Sequence, residues 1–125
     1  MKYTKLGKSD LNVSRICMGC MALGEPSRGM NKWAVPEAES REIIRHALSQ
    51  GINFFDTAMS YQNGNSEEVL GRALRDFARR EDYVVATKFL PRDEDEISRH
   101  VPGQEHVALC LDKSLKRLRL EYVDL

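Results

Sequence analysis

Short apolar segments alternate with longer amphipathic segments along this chain, and that order constrains the fold more than any other feature. Residues 52–56 and 83–89 are short and apolar, and the second run is typical of a strand buried on both faces of a parallel sheet. Between such segments, Ile43, Ile44 and Ala47 recur at helical spacing. Strands that alternate with helices predict βαβ units, and therefore an α/β protein with parallel strands.

The same patterns predict where each element lies. An N-terminal β-hairpin is predicted around the Gly7 turn over residues 2–16, and first-turn Pro36 and C-terminal Gly51 bound the first helix. Asn65 is predicted to cap the second helix, with Glu68 closing a capping box. The remaining predictions are strands at 15–18, 52–56, 83–89 and from Tyr122, a solvated loop at 91–100, and a third helix from about Gln104 to Arg119 whose buried stripe is Val107, Leu111, Leu115 and Leu118.

The composition of the chain excludes several classes of function. The chain has 125 residues, 19 basic and 19 acidic side chains and no net charge, so it lacks the basic footprint of a nucleic-acid-binding protein. No apolar run approaches the roughly 20 residues that span a bilayer, and the polar residues 1–10 are unlike a signal peptide. These features predict one domain over residues 1–125 in a cytoplasmic protein that binds neither nucleic acid nor membrane.

Polar side chains stand where chemistry is expected in α/β folds, at the carboxyl ends of strands. Asp56 ends the second strand, Tyr61 follows it, and Lys88 lies near the end of the third. A tyrosine hydroxyl has an ordinary pKa of about 10, and a neighbouring lysine ammonium favours the phenolate. If the three meet, Tyr61 becomes a general acid with Asp56 pairing Lys88. Taken singly, each of the three is better explained by a structural role, and only their combination on consecutive strands favours a site.

These residues also carry a family resemblance. The chain resembles the aldo-keto reductases of bacteria over essentially its whole length, most specifically in the long signature around Asp56 and Tyr61. The resembling segments are residues 6–14, 18–24, 51–58, Tyr61, 66–74 and 86–88. Periodicity alone leaves an open doubly wound sheet and part of a closed barrel equally acceptable; the resemblance implies a (β/α)₈ TIM barrel, of which this chain is the N-terminal half, truncated in strand 4.

The resemblance further implies an NADPH-dependent oxidoreductase that reduces an aldehyde or ketone. Asp56, Tyr61 and Lys88 would be catalytic, and Gly19, Cys20 and Met21, together with Asp56, would bind the cofactor. No metal site is implied. The substrate, the choice between NADPH and NADH, and the oligomeric state stay open.

The family pattern includes a catalytic histidine shortly after the fourth strand begins, and His46, His100 and His106 do not match it. These three are predicted to be surface residues, and the 125-residue chain is predicted to be inactive alone. Its uncovered sheet edges favour self-association. A cofactor-sensing regulatory member and a fragment without independent function are the alternatives. The Cys17–Cys20 pair has the spacing of a redox or zinc motif, but without further ligands that function is disfavoured.

Overall fold

An antiparallel hairpin opens the chain. In the computed structural model, which describes residues 1–125, β1 (Tyr3–Lys5) pairs with β2 (Asn12–Ser14) in the register that places Tyr3 opposite Ser14. Gly7 lies in the turn with φ of 59°, a conformation that glycine adopts without a steric penalty. The hairpin predicted over residues 2–16 is therefore confirmed.

Three parallel strands form the sheet that carries the candidate site. β3 (Met18–Gly19) pairs with β4 (Phe54–Asp56), which pairs with β5 (Val84–Ala86), so the sheet order is β3-β4-β5. The first strand was predicted at residues 15–18. It lies further along, because Arg15 and Ile16 serve as the exposed connection from the hairpin.

Two helices cover one face of the sheet. α1 (Glu37–Ser49) begins after Pro36, and α2 (Asn65–Phe77) follows β4. Gly51 follows α1 with φ of 82°, which is the left-handed conformation expected after a helix end. The core between the helices and the sheet is apolar and includes the fully buried residues Ile44, Phe55, Val69, Leu70, Leu74 and Val85.

A further helix, α4 (Gly103–Leu118), packs against α2. The two helices approach most closely at Gly71, where a Cβ would lie 2.1 Å from the carbonyl oxygen of Leu118. Glycine at this position therefore allows the backbones to meet.

Two predictions of local structure were wrong. α2 has no capping box: Gly64 is its N-cap, and the Asn65 side chain instead accepts a hydrogen bond from the backbone of Glu25 at 2.8 Å. Residues 91–100 are not only a loop, because α3 (Glu94–Ser98) forms there with a complete capping box between Asp93 and Glu96. This short helix is exposed, as expected for a solvated segment. Its capping box stabilises helical structure that the charged sequence did not suggest.

The buried face of α4 also differs from the prediction. Leu118 is buried, but Val107 and Leu111 are each 39% exposed. The buried residues are His106, Cys110, Ser114 and Leu118, a stripe rotated relative to the predicted one. His106 is thus not a surface residue, because its ring lies between α4 and the segment that follows β5.

The start of the predicted fourth strand runs beside β5. The backbone N–H groups of Asp124 and Leu125 both donate to the carbonyl of Val85, and the N–H of Thr87 donates to the carbonyl of Leu125. The structure is therefore a partial α/β unit with a parallel sheet of three strands, the beginning of a fourth beside it and no closed barrel. No helix combines the length and apolar character needed to cross a bilayer.

Candidate active site

The ends of β4 and β5 bring an aspartate and a lysine together. Asp56 is the last residue of β4, and Lys88 follows β5 by two positions. The Lys88 Nζ donates to Asp56 Oδ1 at 2.7 Å and to the carbonyl oxygen of Thr57 at 2.9 Å. Because the two strands are parallel neighbours, their carboxyl ends lie at one edge of the sheet, as the sequence predicted.

Tyr61 completes the cluster. Lys88 Nζ lies 5.2 Å from the centroid of the Tyr61 ring, on its face. Burial lowers the pKa of Lys88, but the hydrogen bond and negative charge of Asp56, aided by Tyr61, outweigh burial and raise it above its ordinary value. The lysine is therefore held as an ammonium ion beside the phenol, with half of its side chain still exposed.

The backbone after Tyr61 is in an uncommon conformation. Gln62 and Asn63 have φ of 48° and 52°, and Gly64 follows with φ of 84°. Non-glycine residues rarely adopt this left-handed conformation, and they keep it only where surrounding contacts impose it. The backbone conformation of the Tyr61 loop is thus imposed by contacts with neighbouring segments rather than by the intrinsic preferences of its residues.

Those neighbours belong to the loop that follows β3. The buried Gln62 amide donates to the carbonyl of Glu25 at 2.8 Å and accepts from the backbone N–H of Asn31 at 3.1 Å. Gly29 packs so closely that a Cβ there would lie 2.6 Å from the Gln62 Cα. Sequence reasoning missed Gln62, because a polar residue in a predicted loop gives no sign that it is buried.

Three polar residues in the first turn of α2 were also missed. Asn65, Ser66 and Glu67 are all buried. Ser66 Oγ donates to the carbonyl of Cys20 at 2.7 Å and lies 3.0 Å from Thr57 Oγ1, so it joins the loops that follow β3 and β4. Acidic and hydroxyl residues are common at exposed helix starts, so their type and position did not indicate that these three are buried.

The predicted cofactor residues lie beside this cluster with different exposures. Gly19 is the register partner of Asp56, and a Cβ at Gly19 would meet no atom within 4 Å. Met21 is 44% exposed. Cys20 is fully buried, its backbone N–H donates to the backbone carbonyl of Asp56, and burial raises the pKa of its thiol. Gly19 and Met21 can therefore face a ligand, whereas Cys20 packs beneath the site.

Cys17 and Cys20 are both free thiols in this structure. Cys17 is exposed and Cys20 is buried, and neither is in a disulfide. No group of three or more His, Cys, Asp or Glu side chains is arranged to hold a metal ion.

Comparison with known proteins identifies the class to which this sheet and its polar edge belong. The model of the Aldo/keto reductase family matches residues 15–125. The chain is 34% identical to the aldo-keto reductase AKR11C1 from Bacillus halodurans in its holo form, with a TM-score of 0.77 over 99% of this chain and 38% of that one. The fold therefore corresponds to part of the TIM barrel of the aldo-keto reductases. The chain belongs to the aldo/keto reductase family.

Relatives within the family cover this chain fully but extend well beyond its length. Aldo-keto reductase YhdN of Bacillus subtilis (strain 168) is 36% identical over 126 residues, which are 100% of this chain and 37% of the relative. A probable voltage-gated potassium channel subunit beta of Oryza sativa subsp. japonica is 38% identical over 99% of this chain and 36% of its own length. The chain thus corresponds to the N-terminal part of its relatives.

Proposed function

We propose that the polypeptide carrying this sequence reduces an aldehyde or ketone to an alcohol with NADPH as the hydride donor. The observation that carries this proposal is the Lys88 ammonium, which is held between the Asp56 carboxylate and the face of the Tyr61 ring. An oxidoreductase needs a proton donor beside the acceptor oxygen, and this cluster supplies one.

The protein's own groups account for the proton. When bound, the nicotinamide supplies a hydride to the carbonyl carbon. The Tyr61 hydroxyl donates its proton to the carbonyl oxygen, so that the C=O double bond becomes a C–H and an O–H. The adjacent Lys88 ammonium stabilises the negative charge that develops on the phenolic oxygen. Asp56 and the Thr57 carbonyl orient that ammonium through their hydrogen bonds.

The residues present fit such a cofactor. The space beside Gly19 is open to a flat ring, Met21 exposes an apolar side chain, and Asp56 lies opposite Gly19 in the register. These three would border the nicotinamide end. We propose NADPH rather than NADH on the family resemblance alone.

We propose that residues 1–125 by themselves do not complete a turnover. The chain spans 37% of the length of YhdN, and none of its histidines lies in the Asp56–Tyr61–Lys88 cluster: His46 and His100 are exposed elsewhere and His106 bonds Glu96 and Leu90. A cytoplasmic location and self-association through uncovered edges belong to the same proposal.

A second candidate is a cofactor-sensing regulatory subunit. Its support is the 38% identity with the probable channel subunit beta of Oryza sativa. The intact cluster of Asp56, Tyr61 and Lys88 favours the reductase.

The test is aldehyde-dependent oxidation of NADPH, with NADH in parallel, by the polypeptide that carries this sequence, purified from its source cells. Tyr61→Phe removes the proton donor and keeps the ring, so we expect kcat to fall by about 100-fold or more. Tyr3→Phe is the matched control, because Tyr3 lies in the hairpin and its hydroxyl donates to the carbonyl of Gly51, just after α1. Unchanged kcat in Tyr61→Phe would refute the assigned role, and cofactor binding without turnover in the unaltered protein would favour the regulatory subunit.

A further inference from the structure

A carboxylate is fully buried beside the site without taking part in the cluster described above. Glu67, in the first turn of α2, has 0% exposure. A buried carboxylate is strongly destabilising unless its oxygens are hydrogen-bonded and its charge is paired. Both conditions hold: Oε1 accepts from Thr87 Oγ1 at 2.6 Å, and Oε2 accepts from Arg117 Nε at 2.5 Å.

The contacts of Glu67 join three elements. Its backbone belongs to α2, which begins just after the loop of Tyr61. Its Oε1 bonds the residue that immediately precedes Lys88, and its Oε2 bonds Arg117 near the end of α4. Arg117 also packs closely against Gly64, where an added Cβ would lie 2.6 Å from the Arg117 Cδ. One carboxylate therefore connects the start of the Tyr61 helix, the end of β5 and a helix behind them.

Lys88 depends on such a connection, because it lies beyond the paired part of its strand. The pairing of β4 and β5 ends at Asp56 and Ala86. Past that point the segment is held by two backbone bonds, from Thr87 N–H to the Leu125 carbonyl and from Met59 N–H to the Lys88 carbonyl, and by the Thr87 hydroxyl on Glu67. The Thr87 side chain is the only one at this strand end that bonds into α2.

From this geometry we propose that Glu67 is a positioning residue, which through the Thr87 hydroxyl sets where Lys88 stands relative to Tyr61. The proposal rests on the reductase function proposed above, because it assigns the group that aligns two members of that site. It predicts that loss of one half-buried hydroxyl, outside the Asp56–Tyr61–Lys88 cluster, impairs the proton transfer rather than binding.

Thr87→Val is the sharpest test, because valine keeps the volume of threonine and removes only the hydroxyl. We expect kcat of the purified polypeptide to fall roughly 10- to 100-fold, the size of effect that a misplacement of about 1 Å produces, while KM changes by less than about threefold. Thr87→Ser, which restores the hydroxyl, should recover most of kcat. Arg72→Gln is the control: it removes the paired hydrogen bonds to Glu37 on the outer side of α2 and should lower thermal stability but leave kcat unchanged.

A second readout does not need turnover. The ¹³Cε resonance of Lys88, followed against pH in the 125-residue chain, reports its bond to Asp56. In Thr87→Val we expect the Lys88 titration midpoint to move down, because the ammonium loses its aligned partner, and in Thr87→Ser to stay in place. Thr87→Ala serves both measurements if the valine variant does not fold.

The outcomes separate the two proposals. A folded Thr87→Val protein with unchanged kcat and an unchanged Lys88 midpoint overturns the positioning role of Glu67. An equal fall of kcat in Arg72→Gln also overturns it, since any loosening of α2 would then suffice. If Tyr61→Phe retains full turnover, the proposed function fails, and the Lys88 midpoint alone then decides whether Glu67 positions the lysine.

Discussion

At the scale of single residues, the charge of Lys88 is set mainly by Asp56, with a smaller contribution from Tyr61. Burial on its own would lower the pKa of this lysine, and the bond to Asp56 reverses that effect. The pair is only partly shielded from water, with half of the Lys88 side chain exposed. Its importance therefore lies in orientation and charge at the site more than in the stability of the fold.

Asp56→Asn is expected to lower the pKa of Lys88. The amide carries no negative charge, so less remains to counteract the lowering of the lysine pKa by burial. The measurement is the pH midpoint of the Lys88 ¹³Cε resonance in the 125-residue chain. Asp10→Asn is a matched control, because Asp10 pairs with Lys5 in the hairpin at 3.5 Å. A Lys88 midpoint that moves equally in both variants, or in neither, would contradict the assignment.

At the scale of elements, His106 ties the segment after β5 to α4. Its Nδ1 lies 2.8 Å from Glu96 Oε1 and its Nε2 lies 2.6 Å from the carbonyl oxygen of Leu90. Both partners are acceptors, so both contacts are satisfied only when the imidazole carries two protons. The hydrogen bond to Glu96, then that to Leu90, raises the pKa of His106 above its ordinary value, whereas burial and Arg92 oppose the shift.

This contact predicts a pH dependence of stability. A pKa raised on folding stabilises the fold fully below the ordinary value of 6.5, and the contribution is lost as pH rises through the folded value. The pKa of Glu96 is lowered, first by His106, so its contribution is lost as pH falls below 4.5 and through its own folded value. The His106–Glu96 contact therefore stabilises residues 89–101 most at pH values between these two limits.

Urea unfolding of the 125-residue chain measures this effect. We expect the midpoint difference between the unaltered chain and His106→Gln to be largest between pH 4.5 and 6.5 and to shrink as the pH rises above that range, because the imidazolium then loses its second proton. His46→Gln, at an exposed position of α1, should show no such pH-dependent difference. A His106→Gln difference that stays constant with pH would contradict the imidazolium assignment.

At the scale of the whole molecule, an apolar groove is open to water between α4 and the C-terminal segment. It has a volume of about 230 Å³ and is lined mainly by Phe89, Val107, Leu111, Val123 and Leu125. Phe89 is 57% exposed and Leu125 is 52% exposed. Apolar surface of this kind promotes association, because burying a large side chain contributes up to about 1.5–3 kcal/mol.

We expect the 125-residue chain to self-associate with rising concentration, as sedimentation velocity would show. Leu111→Lys places a charge in the groove and should shift the chain toward the monomer. Met30→Lys adds the same charge at a site that is 94% exposed and outside the groove, so it should leave association unchanged. A chain that stays monomeric at all concentrations would contradict the expectation.

Much of this molecule could be predicted because its signals are local. The hairpin, the three helices that flank the sheet and the parallel order follow from apolar periodicity and from Gly and Pro at segment ends. The contact between Asp56 and Lys88 could be predicted because each residue lies at the carboxyl end of a strand, and neighbouring parallel strands end at the same edge of the sheet. The buried stripe of α4 was misplaced, because Val107 and Leu111 are more apolar than His106 and Ser114, which are buried instead, and periodicity does not say which face finds a partner.

The sequence by itself therefore determined the order of the elements, the parallel sheet and the edge where the site lies, because each depends on residues close together in the chain. Only the tertiary structure decided that Glu67, Gln62 and His106 are buried, and that Cys20 turns away from the site. Burial of a polar side chain is stable only when partners distant in the chain satisfy it, as Thr87 and Arg117 do for Glu67. Such partnerships leave no periodic trace in the sequence.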